Sequence, residues 1–182
     1  GRPVIVNFTP HLVPMNRGIL VTAYANLIKP VSYEDLSNAV KMNISEDGTI
    51  KTYRMGEYNL DQINSGRPLF DFFNETGDKR FLLAAENLKK QLETHPRTLS
   101  GVFWHKEIYP WQVWLDGLYM QGPFWTKCGH FDDVADQLIK VYETLRDEKT
   151  GLLYHAWDET RGQRWSDINT GLSPHFWSRS IG

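Results

Sequence analysis

The chain has 182 residues, 41% of them hydrophobic, and a formal net charge of −2. That gives room for one ordinary domain with a packed core, or one and a fragment. The near-balanced charge, with no Lys/Arg stripe, argues against a nucleic-acid partner, and the single Cys128 rules out an internal disulfide framework or a cysteine-based zinc site. That lone thiol reads as packing rather than as a nucleophile. No run of about 18 apolar residues is present, so no membrane-spanning helix is expected. The first residues lack the charged-then-apolar pattern of a signal peptide. The expected setting is therefore cytoplasmic, where the sequons at Asn43 and Asn74 carry no meaning.

Residues 2–30 differ in character from the rest. Val4 to Phe8 is a short β-type run closed by Thr9-Pro10, and Ile19 to Tyr24 is another, preceded by Gly18. Ser32-Tyr33-Glu34-Asp35 has the look of a capping box, with Leu36, Ala39 and Val40 on one face of a short helix. The order is strand, loop, strand, helix. The run FTPHLVPMNRGILVTAYA (Phe8 to Ala25) resembles a segment of the N-acetyl-γ-glutamyl-phosphate reductases. That resemblance covers only about the first 40 residues. The cysteine nucleophile, the catalytic-histidine motif and the Gly-rich nucleotide loop of that family are missing, and His11 and Arg17 cannot carry its reaction alone. Residues 1–42 are therefore taken as an α/β piece without catalysis of its own, and 43–182 as a second domain.

From Asn43 onward a repeat emerges. Gly48, Gly101 and Gly151 fall 53 and 50 positions apart. Each follows polar turn residues and precedes an apolar or aromatic run. A period near 50 with helical pattern between is what stacked helical hairpins give. One helix is expected to start at Ser65-Gly66-Arg67-Pro68 and stop at Thr76-Gly77. Asp78 caps the next, with Phe81, Ala85, Leu88 and Leu92 at helical spacing before His95-Pro96. A third is expected from Pro110 to about Thr126. A fourth is capped by Asp132, with Val134, Leu138, Tyr142 and Leu145 on one side, and a fifth opens at Ser173-Pro174.

The stretch Phe103 to Met120, FWHKEIYPWQVWLDGLYM, concentrates the chemistry. Trp104, Tyr109, Trp111 and Trp114 surround His105 and Asp116. A helix from Pro110 would put Asp116 nearly two turns in, among apolar neighbours, where a carboxylate is costly unless held or used. The residue types alone leave two readings open: a carboxylate that caps a helix or pairs with an Arg, and one that moves a proton. All seven tryptophans lie between Trp104 and Trp177. Flat indole faces either fill cores or line sites, and the apolar face of a pyranose stacks on them. Asp61, 13 residues after Gly48, and Asp116, 15 after Gly101, hold matching places in successive repeats. Both should face one rim, where two carboxylates push their pKa values apart and leave one able to donate a proton.

Six runs now carry a second resemblance: YNLDQIN (Tyr58 to Asn64), PRT (Pro96 to Thr98), FWHK (Phe103 to Lys106), YPWQVWLDGLYM (Tyr109 to Met120), YHAWDETRGQRW (Tyr154 to Trp165) and SPHFWSRSIG (Ser173 to Gly182). Together they resemble the unsaturated rhamnogalacturonyl hydrolases of glycoside hydrolase family 105. The resemblance runs over about residues 43–182. It implies a mainly α protein, an α/α toroid of six helical hairpins, needing no metal or organic cofactor. The implied substrate is a small pectin-derived oligosaccharide ending in 4,5-unsaturated galacturonic acid linked to rhamnose. By resemblance Asp116 donates the proton, Asp61 tunes it or holds sugar hydroxyls, His105 and His155 hydrogen-bond the substrate, Trp114 stacks on it, and Arg179 contacts its acidic or hydroxyl-bearing part. A ring of six repeats needs on the order of 300 residues. An incomplete toroid is therefore expected, with a half-built site and apolar faces free for self-association. The alternative is a non-catalytic helical fragment that binds sugars or proteins through exposed aromatic faces.

Overall fold

The computed structural model describes residues 6–11, 20–25 and 32–181, with side chains from 32 to 178 and at Ser180. Val4, Ile5, Arg17 and Ile19 lie outside the described residues, as does the side chain of Arg179. The chain divides into two units, Gly1–Val40 and Lys41–Gly182.

In the first unit, strands β1 (Val6–His11) and β2 (Leu20–Ala25) pair antiparallel, from Val6 opposite Ala25 to His11 opposite Leu20. Helix α1 (Tyr33–Lys41) follows. Its start is a reciprocal cap: Asp35 N–H donates to Ser32 Oγ at 3.0 Å, and Ser32 N–H donates to Asp35 Oδ2 at 3.2 Å. This is the capping box read from the sequence, with Asp in the place that Glu or Gln usually takes.

The second unit is mainly helical. Three single 3₁₀ turns (Met55–Glu57, Leu60–Gln62, Asn64–Gly66) lead into α2 (Leu69–Thr76), which packs antiparallel on α3 (Lys79–Thr94). Helices α4 (Leu115–Lys127) and α5 (Phe131–Leu145) make the second hairpin. Short strands β3 (Gln112–Trp114) and β4 (Ala156–Asp158) pair antiparallel beside α4, and α6 (Ser178–Ile181) ends the described chain. Among the described residues no helix is long and apolar enough to cross a membrane.

The periodic glycines are the hinges of this repeat. Gly48, Gly101 and Gly151 have φ of 81°, 92° and 73°, a left-handed backbone that a side chain would strain. Each closes a tight turn, and across each turn the chain pairs with itself antiparallel: Ile44 with Ile50, Arg97 with Phe103, Arg146 with Leu153. Each turn therefore follows a helix and folds the chain back on itself.

Helix α3 buries Phe81, Ala85, Leu88 and Leu92, the stripe its spacing predicts. With Ile63, Leu69 and Phe124 they form the main core. A second cluster, Val102, Val113, Leu115, Val141 and Leu145, lies behind β3. Cys128 is half-buried, and burial pushes its thiol up to about 11; it fills space, as the sequence suggests.

Four expectations need correction. The helix expected from Pro110 starts at Leu115, because Trp111 takes a left-handed φ of 64° and Gln112–Trp114 pairs with β4. The cap of α5 is His130, not Asp132, which lies inside the first turn. The buried side of α5 is Val134, Gln137, Val141 and Leu145, while Leu138 and Tyr142 are exposed. Gln137 takes the inner place because its amide is bonded there, donating to Asp133 and accepting the Phe103 N–H. The last helix opens at Ser178 rather than at Ser173-Pro174, where Ser173 instead donates its N–H to Ala156 O beside β4.

Candidate active site

Asp61 sits in the Leu60–Gln62 turn, whose entry is fixed by Asn59: its side chain accepts the Asp61 N–H at 3.0 Å. That turn is tied to the segment before β3. Leu60 N–H donates to His105 O at 3.1 Å, Glu107 N–H to Tyr58 O at 3.1 Å, and His105 N–H to Gln112 O at 2.8 Å. The result brings Asp61 Oδ1 to 3.4 Å from His105 Nε2 and Asp61 Oδ2 to 2.8 Å from Lys106 Nζ.

The His105 ring is 2% exposed and lies flat on Trp114, with centroids 4.4 Å apart and planes 12° from parallel. Tyr109 also stacks on Trp114, at 5.2 Å and 15°. Trp114 is held in turn, its Nε1–H donating to Gln112 Oε1 at 3.1 Å. His155 tilts against Trp114 at 5.7 Å and meets Trp177 edge-on at 4.6 Å, with Nδ1 3.3 Å from Ser180 Oγ. Of these rings Trp114 and His155 line a cleft of about 250 Å³, together with Trp165, Pro174 and His175 among others.

Asp116 stands in the first turn of α4 rather than two turns in, with Oδ1 fully buried. Its neighbour Gly117 makes room for the histidine, since a Cβ there would lie 2.8 Å from His105 Nδ1 and 3.3 Å from Leu60 Cδ1. Burial lowers the pKa of His105; the charges of Asp61 and Asp116 oppose the shift, and Lys106 and His155 add to it. The ring is therefore neutral at neutral pH, with Nε2–H as the tautomer that can donate to Asp61. Its Nδ1 is buried against Gly117 and has no hydrogen-bond partner among the described residues.

Of the residues singled out in the sequence, the fold brings Asp61, His105, Trp114, Asp116 and His155 into one cluster; the Arg179 side chain lies outside the described residues. Sequence reasoning passed over two members. Lys106 is the direct cation on Asp61, signalled only by its place in FWHK. Trp177 closes the ring wall behind His155, and its signal was the aromatic pair in SPHFWSRS. Part of the YHAWDETRGQRW run is scaffold. The Asp158 carboxylate is wholly buried and accepts the N–H groups of Thr160, Gly162 and Gln163, while Glu159 accepts those of Leu99 and Ser100 at 2.6 and 3.0 Å. Among the described residues no group of three His, Cys, Asp or Glu side chains is placed to hold a metal.

Chemically, this is a pair of carboxylates whose charges act on one neutral imidazole, itself stacked on Trp114. It can pass a proton, orient a water and hold a flat, hydroxyl-bearing ligand.

Comparison with known proteins gives the family and the fold. A sequence model of Glycosyl Hydrolase Family 88 matches residues 16–182. A solved C. acetobutylicum glycoside hydrolase from family 105 superposes with a TM-score of 0.78 at 47% identity, covering 81% of this chain and 43% of that one. The unsaturated rhamnogalacturonyl hydrolase YesR of Bacillus subtilis is 26% identical over 181 residues, covering 91% of this chain and 49% of its own. The chain thus spans about half the length of that relative. An N-acetyl-gamma-glutamyl-phosphate reductase of Lachnospira eligens is 81% identical over 32 residues, 18% of this chain and 9% of its own. The reductase likeness is a short partial match, as the motifs implied, and the hydrolase likeness spans the site. The chain belongs to Glycosyl Hydrolase Family 88.

Proposed function

We propose that the protein is a cytoplasmic glycosidase acting on 4,5-unsaturated galacturonyl-rhamnose oligosaccharides from pectin, by hydrating the double bond. In this reading α2/α3 and α4/α5 are hairpins of a six-membered α/α ring. One observation carries it: Asp61 and Asp116, from successive repeats, both act on the buried, neutral His105 that lies flat on Trp114.

The unsaturated sugar is an enol ether. Asp116 gives a proton to C4, leaving an oxocarbenium-like cation shared by C5 and the ring oxygen. Water adds at C5 and loses its proton. The resulting hemiketal opens to a ketone, and C1, left with a hydroxyl and the leaving sugar, collapses to an aldehyde as that sugar departs. No displacement occurs at the anomeric carbon, so the rule relating carboxylate separation to stereochemistry does not apply. Asp61, fixed by Lys106 and His105, holds sugar hydroxyls or the water; Trp114 stacks on the ring; His155 hydrogen-bonds it. Arg179 is assigned to the substrate carboxylate, which a guanidinium fork suits. No step calls for a metal or an organic cofactor.

The test is loss of the ultraviolet absorbance of the conjugated double bond on mixing protein with unsaturated galacturonyl-rhamnose. Folded protein at high concentration that leaves the absorbance unchanged overturns the reading.

A second reading has its own observation. Phe131, Leu138, Ile139 and Tyr142 of α5 are 66%, 48%, 56% and 49% exposed, an apolar patch on one helix. In this reading the chain is a non-catalytic helical piece that associates with itself. Light scattering that shows a monomer at all concentrations removes it.

A further inference from the structure

We propose that the groove leading from Trp114 past Trp165 to Asn169 is a subsite for the sugar that follows the unsaturated unit, with Trp165 as its stacking platform. This rests on the glycosidase reading. It assigns a part of the surface that the reaction itself does not use.

The cleft beside Trp114 and His155 does not end there. It shares Trp165, Ser173 and Pro174 with a larger outer depression of about 610 Å³, whose rim carries Asp167, Asn169 and Thr170. Sites for small ligands span about 300–1,000 Å³, so the outer depression alone is of useful size. The inner part is walled by rings and by Ala156 and Pro174, and the outer part is edged by polar groups. A pyranose asks for that combination: a flat apolar floor and polar groups at its edge.

Trp165 is the tryptophan without another task. Each of the other six lies against another ring or in the second core cluster. Half-buried Trp165 takes part in none of the described ring contacts or hydrogen bonds, and it lines both clefts. A large ring kept half-exposed, with no ring or hydrogen-bond partner among the described residues, is placed to receive a ligand.

The substrate's topology gives the direction. A 4,5 double bond leaves no linkage at C4, so the unsaturated unit is terminal and the chain continues only from C1. With that unit at Asp116 and Trp114, the rest of the molecule has to leave along a groove, and this one opens there. The rim also selects. Asp167 accepts the Asn169 N–H, the Thr170 N–H and the Thr170 hydroxyl on Oδ1, at 2.9, 2.8 and 3.0 Å, while Oδ2 takes none of the described bonds. No Lys or Arg lines the depression. A uronate carboxylate would meet a like charge at this rim, whereas a neutral deoxy sugar offers hydroxyls to Asp167 and Asn169 and an apolar face to the indole.

The test compares two substrates in Trp165→Ala and Trp165→Phe proteins: unsaturated galacturonyl-rhamnose, and the methyl glycoside of the unsaturated uronic acid, which has no second sugar. The expected result is a rise of about tenfold in KM for the disaccharide with kcat within about twofold, a rise several-fold smaller for the methyl glycoside, and partial recovery in Trp165→Phe. Equal losses on both substrates, or no loss on either, overturn the subsite. Calorimetric titration with the saturated disaccharide reads the groove without turnover, and there Trp165→Ala should weaken binding about tenfold. Wild-type protein that hydrolyses neither substrate ends the glycosidase reading. The titration then decides the groove by itself, since affinity equal in wild type and Trp165→Ala overturns it.

Discussion

Two buried histidines, His95 and His105, stand ten residues apart on either side of the Gly101 turn, and they are treated differently. His95 is fully engaged: Nε2–H donates to Trp104 O at 2.9 Å, and Nδ1 lies 3.3 Å from the Gln91 amide, whose Oε1 accepts the Tyr53 hydroxyl at 2.8 Å. Beside it Asp133 binds Arg97 through two bonds of 2.7 Å and also accepts from Trp125 and Gln137. His105 has a long 3.4 Å approach to Asp61 on one nitrogen and, among the described residues, no hydrogen-bond partner on the other. Saturated polar groups of the first kind fix a structure, whereas loosely held ones between two carboxylates are what a reaction uses. The lesson is that burial and residue type do not separate scaffold from site here; completeness of hydrogen bonding does.

The strongest way to break this contrast is Asp116→Asn. It should lower kcat by about 10²–10⁴-fold while leaving the melting temperature nearly unchanged. The check is the double-bond absorbance assay alongside circular dichroism, and a large fall in melting temperature would move Asp116 to the scaffold side. Asp133→Ala should do the reverse. It strands Arg97, Trp125 Nε1 and the Gln137 amide at once, so it should cost about 3 kcal/mol in urea unfolding, with the folded fraction keeping normal turnover. This figure allows for the pair being 31% exposed on each side.

Acid sharpens the comparison next. Burial lowers His95 to about 4, with the Trp104 carbonyl opposing and Arg97 adding. The native ring stays neutral while the unfolded ring takes a proton below about 6.5. Stability is therefore unaffected above that pH and falls as pH drops from about 6.5 toward 4, by about 3 kcal/mol in all. His105, also lowered, adds in the same direction. Urea midpoints at pH 7.5 and pH 5 should differ, and His95→Gln should flatten that difference.

The smallest change is Gly117→Ala. The new methyl would sit 2.8 Å from His105 Nδ1, so the ring has to move, at a cost of about 1–2 kcal/mol and a larger fractional loss of turnover than of stability. Gly122→Ala on the same helix meets only Val134, at 3.4 Å, and should raise helix stability slightly with turnover unchanged. Equal behaviour of the two alanine variants would remove the special status of Gly117.

Much of the scaffold was legible. Gly48, Gly101 and Gly151 announced turns because a residue without Cβ adopts their backbone without strain, and the α3 stripe announced its buried face because Phe81, Ala85, Leu88 and Leu92 keep helical spacing even with the polar Gln91 buried beside them. The α5 stripe misled because Gln137 is buried through partners on distant segments, which no local period records. The start of α4 misled for a similar reason: proline fits a first helical turn, but β4, more than 40 residues on, claims Gln112–Trp114. At the site, the repeat spacing brought Asp61 and Asp116 together on paper. Lys106 and Trp177 have no such signature, since a single lysine or tryptophan is chemically ambiguous until its neighbour is known.

The turn at Gly151 has a consequence for rebuilding this chain. Asp147 supplies nearly all the closure from within: its carbonyl accepts the Gly151 N–H at 2.8 Å, its N–H reaches Leu152 O at 2.8 Å, and its carboxylate takes both the N–H and the hydroxyl of Thr150. The turn at Gly101, by contrast, is clasped from afar by Glu159. A joint that is self-contained is a natural seam. Circular permutants or grafted hairpins should be cut and spliced at Glu148-Lys149, where the severed ends leave every distant partner in place, and not at Leu99-Ser100, where they would release the clasp.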